Sequence, residues 1–326
     1  MYINILPKRF DLYDCYQNNI IGSVSDYWNI CHLPVLWAEL NFFNNNDNPH
    51  TFEDISIEVG SRYIRSEIWQ DFCGISLKTY RCKDFIEFKK IMFNELKKKT
   101  PIGVTLYSLD VPWNKYYQIR PHCILISGMD EDNNEFLCCD GDFHIDGICR
   151  IDMHYLFNQY HDILLLSQKK VKKRSLNESL IYLTHIIQKN NPRKSEDMKI
   201  FINAFEKCWD ASDISDIAAN ISKSYFLLDL TNICNSRHNF RKGMQYFHQE
   251  FQSDLFFPII QELNDLYNKW DALKGLYIKA ILSTKKRFIE DAMTLLHQIA
   301  EKENNLTQKL LLCCEEGWEY CHENHV

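Results

Sequence analysis

The stretch RPHCILISGMDEDNNEFLCCDGDF, Arg120 to Phe143, decides how this chain is read. His122 to Gly128 is a short apolar, β-branched run, and Glu135 to Cys139 is a second one that ends at Asp140. Between them Met129 to Asn134 is polar and rich in Asp and Asn. Two such runs around an Asp/Asn cluster predict a β-hairpin. His122 opens the first strand and Asp140 closes the second, and antiparallel pairing brings those two ends close together. A histidine and a carboxylate so placed call for a nucleophile elsewhere in the chain.

Outward from the hairpin, the upstream pattern predicts strands over Ile75–Tyr80 and Pro101–Val111, with an amphipathic helix between them over Lys83–Lys99. Downstream it predicts a strand at Ile148–Ile151, a helix over Asp152–Gln159 and a closing strand over Asp162–Leu166. At the front, residues 1–13 read as a short strand or arm. Asp14 can cap a helix that begins at Cys15 and carries Ile20, Ile21, Val24, Tyr27 and Trp28 on one face. Apolar residues continue to Phe43, and a further helix is expected near Ser61–Phe72.

The composition then shifts. Residues 168–174, QKKVKKR, form a basic connector, and beyond them strand signals nearly vanish. Helical periods recur over Leu176–Ile187, Ser195–Trp209, Ile214–Ile233, Leu255–Leu282, Arg287–Ala300 and Leu306–Tyr320. The expectation is an α+β fold: a mixed domain over residues 1–167, then an all-helical domain over 175–326.

Length and composition set the class. A chain of 326 residues buries a sizeable core without covalent help. Its 45% hydrophobic and 25% charged residues are ordinary for a globular protein, and a net charge of −7 gives nucleic-acid binding no electrostatic support. The 13 cysteines are scattered and odd in number, with no secretory signal ahead of them and no run long enough to span a bilayer. A reduced, cytoplasmic protein with mostly buried thiols is expected.

Cys15 is the candidate partner for His122 and Asp140. A cysteine in the first turn of a helix feels the positive end of the helix dipole, which favours thiolate. An imidazole within hydrogen-bond reach completes the ion pair, and a carboxylate on its far nitrogen fixes tautomer and orientation. The order cysteine on an N-terminal helix, histidine at a strand start, then a third polar residue is the papain-like order, with aspartate here in place of asparagine. Asp140 is preferred to Asp142 because it ends the apolar run, whereas Asp142 follows Gly141 into a loop.

The segments Tyr13-Asp-Cys-Tyr-Gln-Asn-Asn-Ile-Ile-Gly-Ser-Val24, Pro121-His-Cys-Ile-Leu-Ile-Ser-Gly-Met-Asp130 and Phe136-Leu-Cys-Cys-Asp140 resemble bacterial C39-like papain-fold proteins. The chain is similar, among these, to the butirosin biosynthesis protein H family. Lys269 to Lys279 and Ile299 to Glu303 are similar to the helical part of such proteins. The resemblance implies a papain-like (C39-like) domain followed by a helical one. It further implies a cysteine acyltransferase of nonribosomal-peptide or aminoglycoside type biosynthesis. Cys15 would take an acyl group from a carrier-protein thioester and pass it to a small-molecule amine acceptor, with His122 as base and Asp140 as its orienting group. The only cofactor implied is the phosphopantetheine carried by that partner. The alternatives are a papain-fold amidase or peptidase using the same three residues, and a catalytically silent module that binds a carrier or a peptide.

One departure matters. C39 peptidases carry a glutamine six residues before the cysteine as an oxyanion donor, and here that position is Arg9. The Cys15 backbone N–H remains as one donor, and Gln17 is a candidate for the second. Lys169, Lys170, Lys172, Lys173 and Arg174 form a candidate docking patch for an acidic carrier. No cysteine or histidine grouping has the paired spacing that closes a metal site. The helical domain has three candidate jobs: covering the cleft, binding the acceptor, or forming a homodimer.

Overall fold

The computed structural model describes residues 1–5, 16–60, 62–114, 121–141, 147–190, 193–211, 214–219, 221, 224–283 and 285–323. In chain order, a helix wound as a π-helix over Tyr16–Gly22 runs into α1 (Ser23–Tyr27), and a 3₁₀ helix follows over Leu33–Leu40. Next come β1 (Phe43–Asn44), β2 (Ile57–Glu58), α2 (Arg62–Cys73), β3 (Ile75–Tyr80), α3 (Phe85–Lys97) and β4 (Ile102–Tyr107). The hairpin is β5 (Pro121–Asp130) and β6 (Glu135–Cys139), followed by β7 (Cys149–Asp152), α4 (Met153–Gln159) and β8 (Asp162–Gln168). Past Gln168 every regular element among the described residues is a helix: α5 (Leu176–Asn190), α6 (Lys194–Ala211), α7 (Ile214–Ala219), α8 (Tyr225–Phe251), a 3₁₀ turn over Asp254–Phe256, α9 (Phe257–Ser283) and α10 (Lys286–Glu323). The chain is thus α+β.

It divides into two compact units, Met1–His32 with Trp69–Lys172, and Leu33–Ile68 with Lys173–Val326. This grouping differs from the expected cut into 1–167 and 175–326. Leu33–Ile68 belongs with the helices, because its aromatic residues find their partners there: Phe42 packs on Trp270, and Phe52 on Phe205, Trp209, Phe226 and Tyr277. The helical unit also holds the short β1–β2 ladder, so it is not purely helical.

The first unit is built on a six-stranded sheet of order β3-β8-β4-β5-β6-β7, antiparallel throughout. The expected hairpin supplies its fourth and fifth strands. Asn134 closes the turn with φ +56°, a left-handed conformation that Asn tolerates, while Asp130 accepts from the Asn133 backbone and side chain. One sheet face carries a core of Val104, Leu106, Ile124, Ile126, Phe136 and Cys138 under Phe88, Met92 and Leu96 of α3 and Met153 and Leu156 of α4. Asp84 caps α3 and Asp152 caps α4, each accepting from the backbone N–H three residues on. Against Gly103, on the middle strand β4, lies the N-terminal helix. A Cβ added at Gly103 would stand 2.7 Å from Ile20 Cδ1, so glycine permits the close approach. β4 begins opposite Ile126, and beyond that point the N-terminal segment takes up the β5 edge, with Ile3 donating to Ser127 and Met129 to Met1.

In the helical unit, two expected boundaries move. The period over Ile214–Ile233 resolves into α7 and a separate α8, which is capped by Ser224, whose Oγ accepts from the Leu227 N–H. The helices expected at Arg287–Ala300 and Leu306–Tyr320 are one continuous α10. Its buried positions Ala292, Leu296, Ile299, Glu303, Leu306, Leu310 and Cys314 recur at steps of three and four, so Glu303 occupies a place in an otherwise apolar stripe. Gly243 sits inside α8 because Trp37 lies against it: the indole Nε1–H donates to the Gly243 carbonyl at 3.1 Å, and a Cβ there would meet the ring at 2.9 Å.

Candidate functional site

His122 and Asp140 meet as the hairpin predicts. The register pairs Leu125 with Cys139, so Asp140 continues opposite Ile124, on the face that also carries His122 two residues away. His122 Nε2 lies 2.8 Å from Asp140 Oδ2, and both side chains are fully buried. An ionised carboxylate only accepts, so this contact places a proton on Nε2 and leaves chemistry at the ring to Nδ1.

Two further donors hold the carboxylate, and neither was singled out from the sequence. Trp113 Nε1–H donates to Oδ2 at 2.9 Å and Asn19 Nδ2–H to Oδ1 at 3.0 Å. Trp113 is set by a turn after β4, in which Asn114 donates from its backbone to Val111 and from its side chain to Ser108. Asn19 comes from the N-terminal helix; its Nδ2 also donates to the Cys123 carbonyl at 2.7 Å, and its Oδ1 accepts from the Gly141 N–H at 2.7 Å. The available signals were slight: an amide among the apolar residues Ile20, Ile21 and Val24, and a tryptophan in a short loop after a strand.

Burial is the largest influence on Asp140 and would raise its pKa. The hydrogen bond and charge of His122, with the bonds from Trp113 and Asn19, together outweigh it and hold the carboxyl below its ordinary value. The neighbouring thiols behave oppositely. Burial pushes Cys139 up to about 11, Cys149 up to about 12, and Cys138 well above the ordinary range. Those three are packing residues with no tendency to thiolate. No disulfide joins the described cysteines.

Cys15 lies outside the described residues. The residue after it, Tyr16, opens the helix that carries Asn19. Gln17 lies in that helix, and Asp142 lies outside the described residues. Lys169, Lys170 and Lys172 are exposed just past the end of β8. β4 runs antiparallel to both β8 and β5, so these lysines lie beyond its Ile102 end, whereas His122 pairs with Leu106 near the other. The length of β4, about 17 Å at roughly 3.4 Å per residue, separates the two ends. In the helical unit Lys173 pairs with Glu250 at 2.6 Å and Arg174 lies over the Tyr182 ring. Among the described residues no group of three or more His, Cys, Asp and Glu is arranged to hold a metal, and no helix is long and apolar enough to cross a membrane.

No protein-family model matches the chain, and no curated protein matches it.

Proposed function

We propose that this protein is a papain-like cysteine acyltransferase in which Cys15 is the nucleophile, His122 the base and Asp140 its orienting group. One observation carries the reading: a buried histidine with Nε2 held by a carboxylate that three side chains address, on the ends of two paired strands. Such a carboxylate fixes the tautomer and stabilises the imidazolium that forms when Nδ1 takes a proton. Cys15 comes four residues before Asn19 in sequence and directly precedes Tyr16, the first residue of the helix that carries Asn19. A cysteine at a helix start has its thiolate favoured by the helix dipole.

The chemistry is two exchanges. The Cys15 thiolate attacks the carbonyl carbon of a carrier-bound thioester, and the departing carrier thiolate takes the proton from imidazolium. The acceptor amine then attacks the acyl-enzyme, gives its proton to His122 Nδ1, and Cys15 leaves as thiolate. A thioester is already activated, so this reaction asks less of an oxyanion hole than peptide hydrolysis does. The Cys15 N–H, with Gln17 as a second candidate, is proposed for that role. The donor is an acyl or peptidyl carrier protein. If Lys169, Lys170 and Lys172 dock it, its prosthetic arm must span the length of β4.

The test is intact-protein mass spectrometry of the wild type and Cys15→Ala after incubation with a panel of acyl thioesters. An adduct on wild type only, transferred to an added amine, is the expected result. Release of the free acid, with no transfer to any amine, would make the enzyme a hydrolase. No adduct from any donor would leave a binding module.

A further inference from the structure

We propose that Asn19 is a positioning residue, which sets the Asp140 carboxylate, and through it the His122 ring, from the helix that follows Cys15. The inference rests on the reading of Cys15 as the nucleophile.

The argument starts from the β5–β6 register. Leu125 is opposite Cys139, so Cys123 falls opposite Gly141, and in a continuous ladder the two would bond through their backbones. Instead the Asn19 side-chain amide stands between the strands. Its N–H serves the Cys123 carbonyl and its oxygen serves the Gly141 N–H, both at 2.7 Å, so the amide replaces one rung of the ladder. Its orientation is fixed chemically, because the Gly141 N–H needs an acceptor and the Cys123 carbonyl a donor.

An amide that only ended the ladder would need no third partner. Asn19 spends the second hydrogen of Nδ2 on Asp140 Oδ1, the oxygen that His122 and Trp113 do not engage. The carboxylate is thereby gripped at both oxygens, from the helix on one and from the turn after β4 on the other. The helix itself is seated, with Ile20 and Ile21 fully buried and Ile20 against Gly103. Asn19 therefore ties the element that begins one residue after Cys15 to the histidine that must receive its proton.

The test needs no substrate. The rate of Cys15 alkylation by iodoacetamide is measured against pH in the full chain, by peptide mass spectrometry, for wild type, Asn19→Ala, Asn19→Ser and Trp113→Phe. Circular dichroism melts accompany each. In the wild type the inflection should lie below the ordinary thiol value of about 8.5. Both Asn19 variants should move it up by about one unit or more, a roughly tenfold slower reaction at pH values below the inflection. Trp113→Phe, which leaves the rung in place, should give a smaller upward move. Serine keeps a hydroxyl that can accept from Gly141, so it serves if the alanine variant does not fold. A wild-type inflection below the ordinary value, with Asn19 profiles superimposed on it in variants that melt cooperatively, overturns the role of Asn19 and spares that of Cys15. An ordinary inflection in the wild type overturns the reading of Cys15, and this inference with it.

Discussion

Trp113 Nε1–H donates to Asp140 Oδ2 at 2.9 Å, the same oxygen that lies 2.8 Å from His122 Nε2. With Asn19 on Oδ1, both oxygens of Asp140 accept from fixed donors. An asparagine at 140 would turn its own N–H toward one of them. Asp140→Asn should therefore slow acyl-adduct formation by about 10²–10⁴-fold, through loss of the imidazole's orientation and charge partner. Stopped-time mass spectrometry with the best thioester donor checks this; a change under twofold would detach Asp140 from the chemistry.

Gly103→Ala places a Cβ 2.7 Å from Ile20 Cδ1 and 3.0 Å from Leu164 Cβ. The added methyl should push the N-terminal helix off the sheet and cost about 1–3 kcal/mol. Ile20→Val removes the atom that clashes and costs about 0.5–1.5 kcal/mol alone. The double variant should be more stable than the sum of the two single losses. Urea melts of the four proteins measure that coupling.

Burial holds Cys138, Cys139 and Cys149 as neutral thiols around the His–Asp pair, and likewise pushes Cys73 up to about 12. All four should stay unmodified by iodoacetamide at neutral pH in the folded protein and react after denaturation. Peptide mapping before and after urea treatment reads this out. Modification of Cys139 in the native state would contradict its packing.

In the helical unit Glu303 bonds Arg237 at 2.6 Å, lies 2.7 Å from Lys194 and accepts from Trp270 Nε1–H at 2.8 Å, all buried. Burial is the largest influence on Glu303 and would raise it, but the two cations outweigh it and hold it at about 2. Lys194 is the surplus cation: burial and the repulsion of Arg237 lower it to about 8 despite Glu303. Glu303→Gln should therefore cost about 3–5 kcal/mol by stranding two charges, whereas Lys194→Met should cost on the order of 1 kcal/mol or less. Denaturant melts at pH 7 distinguish them, and equal losses would refute the asymmetry.

The same groups set the acid limb. Asp140 and Glu303 both have folded-state values below their ordinary ones, so at these two sites the folded chain binds fewer protons than the unfolded chain. Their contribution is complete above about pH 4.5 and is lost as pH falls toward 2. Asp229, which burial raises to about 6, acts in the opposite sense and adds stability as pH falls from about 6 toward its ordinary value, so thermal melts from pH 7 to 2 should drop only below about pH 4. Glu303→Gln should flatten the drop in the helical unit.

The hairpin and its His–Asp contact were legible because two apolar runs enclosed an Asp/Asn turn, a local pattern that fixes register. Asn19 was not, because its three partners lie more than a hundred residues away and nothing in Asn18-Asn19-Ile20 marks which amide turns inward. Leu33–Ile68 was placed by its neighbours in sequence, whereas its aromatic residues are claimed by α6, α8 and α9, far along the chain. The break expected inside α10 falls on Glu301-Lys302-Glu303-Asn304-Asn305, five polar residues where the apolar stripe should continue. A buried carboxylate with distant cations looks, in one dimension, like a loop.

That carboxylate also tells α10 where to stop sliding. A stripe of apolar residues at steps of three and four repeats almost identically after each heptad, so grease alone would accept the helix displaced by seven residues along its neighbours. Glu303 removes the degeneracy, since any shifted alignment would press an ion against hydrocarbon and leave Arg237 without its counter-charge. One costly residue in a long, repetitive surface acts as the notch in a key, and it reinforces the setting that the two-residue link between α9 and α10 already imposes.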